Sequence, residues 1–416
     1  MHYCGLDFGT SNSTIGIERD QQLHMVPLDA EKTALRSAVF INDEERGINY
    51  GKQAIANYTL GMEGRLLMSL KSVLGSSLMQ EKTVVFNKME PFTAILAHFI
   101  NHVKSKAEQF ANHALDSVVM GRPVYFKDNN PELDKLAQDT LENILRGVGF
   151  KNIQFQFEPI AASAFYKQQI TQEELVLIID LGGGTSDFSL VRMNPRNTAS
   201  LDDILATDGI HIGGNDFDKL LNYDKVSPYL GRGTYMKALN GSDIEIPTHW
   251  YHDLATWHKI NFLYKNETLL DVRNLLNAAY DKDKLQKLLL VLKERLGHHI
   301  AESVEDCKIQ LSASESANID LDFLENDLLI AVNKADFQDL LHYEITKLER
   351  VIQNLLTTAG VRFEDINTVF FTGGSSKIAV IQTRLMALFQ NAKKMEGDYF
   401  NSVGMGLAIE AQACFR

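Results

Sequence analysis

Two aspartates stand at the ends of apolar strands, where a carboxylate is costly unless something cationic or a strong donor meets it. The stretch HYCGLDFGTSNSTIGI, residues 2–17, carries Asp7, then the turn Gly9-Thr10-Ser11-Asn12, then a second strand. The stretch LVLIIDLGGGTSDFSLV, residues 175–191, carries Asp180, then Gly182-Gly183-Gly184-Thr185, then another strand. Shifted by 173 positions, Asp7 lies over Asp180, Gly9 over Gly182, Ile15 over Phe188 and Ile17 over Leu190. Each stretch reads as a β-hairpin whose glycines let the backbone reach positive φ and come close to an anion. Clustered N–H groups make a nest for phosphate oxygens. A carboxylate repels phosphate, so its use here is to hold a hydrated Mg2+ that phosphate brings with it. Two such hairpins facing each other would grip a polyphosphate from both sides, with the metal between the aspartates. One alone reads equally well as a tight glycine turn with a solvated aspartate; the repetition is what points to chemistry.

Other residues speak more quietly. Glu305, Lys308 and Ser312 are spaced i, i+3, i+7, so a helix would align them on one face able to meet a ribose and a base edge. Taken alone, that is a solvated helix face. Gly373-Gly374 at a strand-to-helix junction would let a flat ring approach the backbone, while Ser375 and Ser376 are plain helix caps in any case. Lys71 in SLKSVLG reads by itself as a surface lysine, and Glu158 before Pro159 as a cap on the helix that follows. His249 and His252 lack acidic or cysteine partners nearby and read as structural or surface residues, as do His298 and His299.

The elements that must position these groups alternate between strand and helix, which gives an α/β class in two lobes. Helical spacing is expected over Ile55–Gly75, 92–112, 131–148 and, as one long stretch, about 283–312. Strands are expected over 118–126, Ile153–Phe157 and Thr368–Phe371, and a Gly-Gly turn at Gly213-Gly214 opens a further helix. Residues 223–270, rich in Tyr, Trp and Gly, are the least readable part.

Bulk properties narrow the function classes. With 416 residues the chain can bury more than one core. A net charge of −13 argues against broad binding to nucleic acid, though a local anion site survives that field. Cys4, Cys307 and Cys414 are far apart and form no C-x-x-C pair, so zinc and disulfide frameworks lack support. The N-terminus enters a strand directly, and the longest apolar run, near Leu288–Leu292, is far too short to span a membrane. A soluble, cytoplasmic protein with no nucleic-acid or membrane partner is the expectation.

The ordered set DFGTSNS, SLKSVLG, FEPIAASA, DLGGGTSDFS, GGNDFD, ExxKxxxS (305–312) and TGGSSK resembles the nucleotide-binding domain of DnaK-type heat-shock protein 70 chaperones. That family belongs to the wider actin-like ATPases. The resemblance implies an actin-like ATPase fold, with two lobes, each a mixed sheet and flanking helices, around a central nucleotide cleft. Lobe I would cover 1–172 with a short insertion at about 36–90, and lobe II 173–397 with an insertion at about 223–312. A final helix at 398–416 would return to lobe I. The chain stops at AQACFR with no interdomain linker or β-rich segment after it, which is similar to the YegD-like branch that lacks a peptide-binding domain.

Carried over by motif, Asp7 and Asp180 would hold Mg2+, largely through water. Gly9, Thr10, Ser11 and Asn12 would form the first phosphate loop, and Gly182, Gly183, Gly184 and Thr185 the second. Lys71 would reach the γ-phosphate and the attacking water, with Glu158 and Asp187 completing the polar shell. Gly213, Gly214, Glu305, Lys308, Ser312, Gly373, Gly374, Ser375 and Lys377 would embrace the nucleotide around its adenosine. The implied ligands are ATP or ADP with Mg2+, and the implied activity is slow ATP hydrolysis serving as a chaperone-like switch. A protein partner would have residues 223–290 to dock on. The sequence departs from the family at Lys377, where an arginine would stack on adenine, and at Phe157, where asparagine is usual; Asp398 is a candidate for a further acidic residue. Two other classes share the fold: a small-molecule kinase or polyphosphate phosphatase, and a non-catalytic nucleotide-dependent scaffold. Asp187 and the Glu305–Ser312 pattern favour the ATPase switch over the first, and Lys71 with Glu158 favour it over the second.

Overall fold

In the computed structural model, residues 2–127, 130–167, 169–195, 201–238, 242–397 and 402–416 are described, so Asp398 lies outside the described residues. The organising feature is a motif built twice. In the first copy, Tyr3–Phe8 (β1), Asn12–Arg19 (β2) and Gln22–Met25 (β3) form an antiparallel meander. Ser117–Arg122 (β4) joins β1 in parallel, and Asn152–Phe157 (β5) joins β4 in parallel. The sheet order is therefore β5-β4-β1-β2-β3, with a short strand Leu35–Arg36 also pairing with β2.

The second copy repeats this with Glu174–Leu181 (β6), Ser186–Met193 (β7), Ile204–Ile210 (β8), Thr368–Thr372 (β9) and Lys393–Glu396 (β10). Its order is β10-β9-β6-β7-β8, with the same pattern of parallel and antiparallel neighbours. Even the register is repeated: Asp7 pairs with Thr14 and Phe8 with Ser13, while Asp180 pairs with Asp187 and Leu181 with Ser186. Parallel strands need helical crossovers, and the helices Phe92–Ala111, Pro131–Gly147 and Glu158–Lys167 serve the first sheet. Ile160, Ala161 and Ala162 pack with Tyr3, Val119, Val176, Ile178, Leu407 and Ala411 in a core that draws on both sheets.

The chain divides into two compact units. The first comprises Met1–His211, Arg350–Ser376 and Leu385–Arg416 and contains both sheets. The second comprises Ile212–Glu349 and Lys377–Arg384. It holds the helices Gly214–Leu221, His249–Leu254, Asn266–Ala278, Lys282–Lys293 and Gly297–Leu311 and the hairpin Ser316–Asp320/Leu329–Asn333.

Three expectations from spacing need correction. The segment Ile55–Gly75 is not one helix: the helix runs Gly51–Thr59, Gly61 and Gly64 take positive φ, and Gly64–Met68 becomes a strand paired with Ala38–Asn42. The stretch 283–312 is two helices, Lys282–Lys293 and Gly297–Leu311, broken where Arg295 takes a φ of 56°. Gly297 starts the second against Ile260 and Tyr264, where a Cβ would not fit. The strand expected over 118–126 stops at Arg122, because Pro123 has no N–H to give to the ladder.

Candidate active site

Asp7 lies one residue before the end of β1 and Asp180 one residue before the end of β6, so the repeated register places them at equivalent points of the two hairpins. Both belong to the first unit, and the Asp180 charge acts on Asp7. Burial pushes the Asp7 carboxyl up to about 8, with Glu158 and Asp180 adding repulsion and Lys71 opposing it. Burial likewise raises Asp180 to about 7, helped by Asp187 and Glu158. Carboxylates crowded this way favour a cation among them.

Lys71 sits on a single 3-10 turn, Leu70–Val73, and is 9 % exposed although it lies in an irregular connection. Its ammonium pairs with the Glu158 carboxylate at the first residue of the helix Glu158–Lys167. Burial alone would lower the Lys71 pKa, but Glu158, Asp7 and Asp187 outweigh it and the net shift is upward, so the charge is held. The surface lysine of the plainer sequence reading is thus an interior cation among four carboxylates.

The loops are braced from behind. Ser37 donates from its hydroxyl to the Gly9 carbonyl at 2.7 Å and from its N–H to the Ser11 carbonyl at 2.9 Å. It also meets the Ser13 hydroxyl at 2.9 Å. Asn12 pairs with Arg36 in the adjoining short strand. In the second loop, the Gly182 N–H closes the turn on the Thr185 carbonyl at 2.9 Å, while a Cβ on Gly184 would meet open space. Thr185 donates to Asp187 at 3.1 Å, and Asp187 is exposed. Gly373 follows β9 with a φ of 80°, and a Cβ there would run into the Asp180 carboxylate and the Leu181 carbonyl. Gly374 begins the turn Gly374–Lys377, and Ser375 donates to the Gly182 carbonyl at 2.8 Å. One cluster of side chains and loops in the first unit therefore gathers Asp7, Lys71, Glu158, Asp180 and Asp187 with both glycine-rich turns and Gly373.

The remaining candidates lie in the second unit and form their own group. Gly213 caps the helix Gly214–Leu221, with its N–H donated to Asp216 at 2.9 Å. Lys308, 8 % exposed on the helix Gly297–Leu311, donates to Asp218 at 2.6 Å and to the Gly214 carbonyl at 3.3 Å. Glu305 is one turn before it and half-buried, and Ser312 closes the helix. Lys377 is exposed. Among residues 223–290, Trp250 and Tyr251 are buried, whereas Tyr235, Phe262 and Tyr280 are exposed.

Sequence reasoning passed over Ser37 and Asp218. Ser37 stands in TALRSAV, where nothing in type or spacing marks it. Asp218 had a signal, being the last acid of GGNDFD, but its partner lies 90 residues away.

The donor set fits magnesium held mainly through water. Among the described residues no three His, Cys, Asp or Glu side chains gather as direct ligands for a metal; the Asp7 and Asp180 carboxylates are hard oxygen donors of the kind magnesium takes beside water. Asp7 and Asp180 are the residues that would hold it. No helix among the described residues is long and apolar enough to cross a membrane.

A family model described as Hsp70 protein matches residues 3–227 and 272–414. The two matched stretches include every candidate catalytic and nucleotide-binding residue named above, and the gap between them, residues 228–271, falls almost wholly in the aromatic segment 223–270. Proteins of this family bind ATP and ADP, and its members are ATPases. Matched over most of its length, the chain belongs to the Hsp70 family and has that family's actin-like ATPase fold.

Proposed function

We propose that this chain binds ATP together with magnesium and hydrolyses it slowly to ADP and phosphate, as a chaperone-like nucleotide switch. The observation that carries the reading is the buried Lys71–Glu158 pair beside Asp7 and Asp180, which stand at register-matched points of two hairpins. Phosphoryl transfer asks little covalent chemistry of a protein; it asks for positioning and charge neutralisation. Lys71 supplies a fixed positive charge to an oxygen of the γ-phosphate. N–H groups of the first turn, and of Gly183 and Gly184 in the second, donate to phosphate oxygens. Glu158 holds Lys71 in place, and Glu158 and Asp187 order the water whose oxygen forms the new bond to phosphorus as the bond to the leaving ADP oxygen breaks. A magnesium ion at Asp7 and Asp180 would add positive charge to the same phosphate oxygens. On the second unit, Glu305, Lys308 and Ser312 remain the candidates for reading the adenosine.

Single-turnover hydrolysis with magnesium, beside calorimetric titration of ATP and ADP, tests this. Lys71→Ala is expected to reduce the hydrolysis rate by about a hundredfold or more while still binding ATP, and Asp180→Ala to lose magnesium-dependent binding and turnover together. Tight binding without turnover in the unaltered protein would replace the switch with a scaffold. Failure to bind either nucleotide would remove the reading altogether.

A further inference from the structure

Lys71 and Glu158 come from separate segments, so something must bring the 3-10 turn and the end of β5 into register. Arg122, the last residue of β4, stands directly across from Phe157, the residue before Glu158. Its guanidinium lies 5.4 Å from the centre of the Phe157 ring and 5.2 Å from that of Phe126. It donates to both oxygens of Asp134, at 3.1 and 2.9 Å, to the Pro123 and Val124 carbonyls and to Gln138. Asp134 in turn accepts from the Phe126 N–H at 2.6 Å. Beside Phe126 runs the chain that follows the lysine turn Leu70–Val73: a Cβ on Gly75 would stand 3.2 Å from the Phe126 carbonyl. On the other side, a Cβ built on Gly121 of β4 would stand 3.4 Å from the Glu158 Cγ. Arg122 and Asp134 are 12 % and 16 % exposed at their side chains, so the pair is held inside the unit and is not a passing surface contact.

We propose that Arg122 and Asp134 are positioning residues that set the Lys71–Glu158 pair, by clamping the Phe126 segment, beside the chain that follows the lysine turn, and the Phe157 end of β5 with one planar guanidinium. This rests on the reading of Lys71 and Glu158 as the hydrolytic pair. The geometry calls for arginine: lysine can neither stack between two rings as a plane nor fork onto a carboxylate. A shift of about 1 Å at a reacting group costs on the order of a hundredfold in rate, so a clamp that touches no substrate still governs turnover.

The test compares Arg122→Lys and the gentler Asp134→Asn with the unaltered full chain, measuring single-turnover ATP hydrolysis, calorimetric ATP affinity and the urea midpoint. Each substitution is also made in a Glu158→Gln background. The expected result is a rate lower by about tenfold to a hundredfold at saturating ATP, with affinity changed by less than about threefold. In the Glu158→Gln background the same substitutions are expected to add almost nothing, because they act through that carboxylate. If Arg122→Lys unfolds, Asp134→Asn decides the matter by the same measurements. A rate unchanged in both variants, a loss that follows the urea midpoint alone, or a loss undiminished in the Glu158→Gln background overturns the clamp and leaves the hydrolytic reading standing. Wild-type hydrolysis in Glu158→Gln alone overturns that reading, and the clamp with it.

Discussion

Gly373 shows how much one missing methyl group decides at this site. Its φ of 80° is strained for any residue with a Cβ, and the position a Cβ would take is already filled by the Asp180 carboxylate and the Leu181 carbonyl. Gly360 has a similar φ of 66° but nothing within 4 Å of that position. The two glycines separate backbone strain from displacement of the site. Gly360→Ala is expected to cost about 1 kcal/mol of stability and leave ATP affinity unchanged. Gly373→Ala is expected to cost more and to weaken ATP and magnesium binding by at least about tenfold, because Asp180 must move. Urea unfolding and calorimetry on the two variants read both effects; equal ATP affinity would mean that Asp180 takes no part in binding. At this scale the sequence was legible at Gly373, whose positive φ calls for glycine, and at Gly9, where a Cβ would run into the Asn12 carbonyl; Gly9, Gly182 and Gly184 do not take the positive φ expected of their turns. For Lys71, residue type and spacing suggested only a surface lysine; the family resemblance of SLKSVLG marked it as a site residue, and its ion pair with a carboxylate 87 positions away is a tertiary contact.

At the scale of elements, the first hairpin depends on a strand outside the motif. Ser37 ties the Gly9 and Ser11 carbonyls to the sheet, and it is fully buried. Ser37→Ala would leave the Gly9 carbonyl without that donor. The expected outcome is a loss of about 1 kcal/mol in urea unfolding and a several-fold weaker ATP affinity, with ATP hydrolysis at saturation nearly unchanged. An unaltered affinity would mean that the first turn keeps its shape without the brace. Elements were readable where one pattern ran unbroken, as in the helices Phe92–Ala111 and Pro131–Gly147. They were misread at 55–75 and 283–312, where apolar spacing continues through a chain reversal. Gly61, Gly64 and Arg295 in positive φ end the helices there, and strand pairing with Ala38–Asn42 captures residues 64–68.

At the scale of the whole molecule, the two compact units are expected to respond differently to acid. His298 lies in the second unit, 1 % exposed and edge-on to Trp257 at 4.7 Å. Burial lowers its pKa from 6.5 to about 4; a hydrogen bond to the Trp257 backbone opposes this and His299 adds to it. A depressed histidine means that the unfolded chain takes up the proton first. The stability it contributes is therefore full above about pH 6.5 and is lost as pH falls toward 4. Between pH 7 and pH 5 the loss is about 2 kcal/mol, carried by the second unit. Hydrogen exchange resolved by segment, corrected for intrinsic rates, is expected to show the helix Gly297–Leu311 opening at pH 5 before either sheet does. In His298→Phe that difference is expected to shrink. Acid opening that begins in the sheets would overturn this, because the raised Asp7 and Asp180 make the folded first unit gain stability as pH falls.

The sequence by itself determined the doubled hairpin, its two aspartates and its glycine-rich turns, because strand periodicity, turn chemistry and register are local properties repeated along one chain. It also carried the family, because seven motifs occur in order. What only the tertiary structure decided is who meets whom: Lys71 with Glu158, Ser37 behind Gly9, Lys308 with Asp218, and Arg122 between Phe126 and Phe157. Those meetings bring together side chains that are distant along the chain or that leave no mark in residue spacing. Burial and charge then make each partner necessary, and neither burial nor a partner's charge is written in the residues beside it.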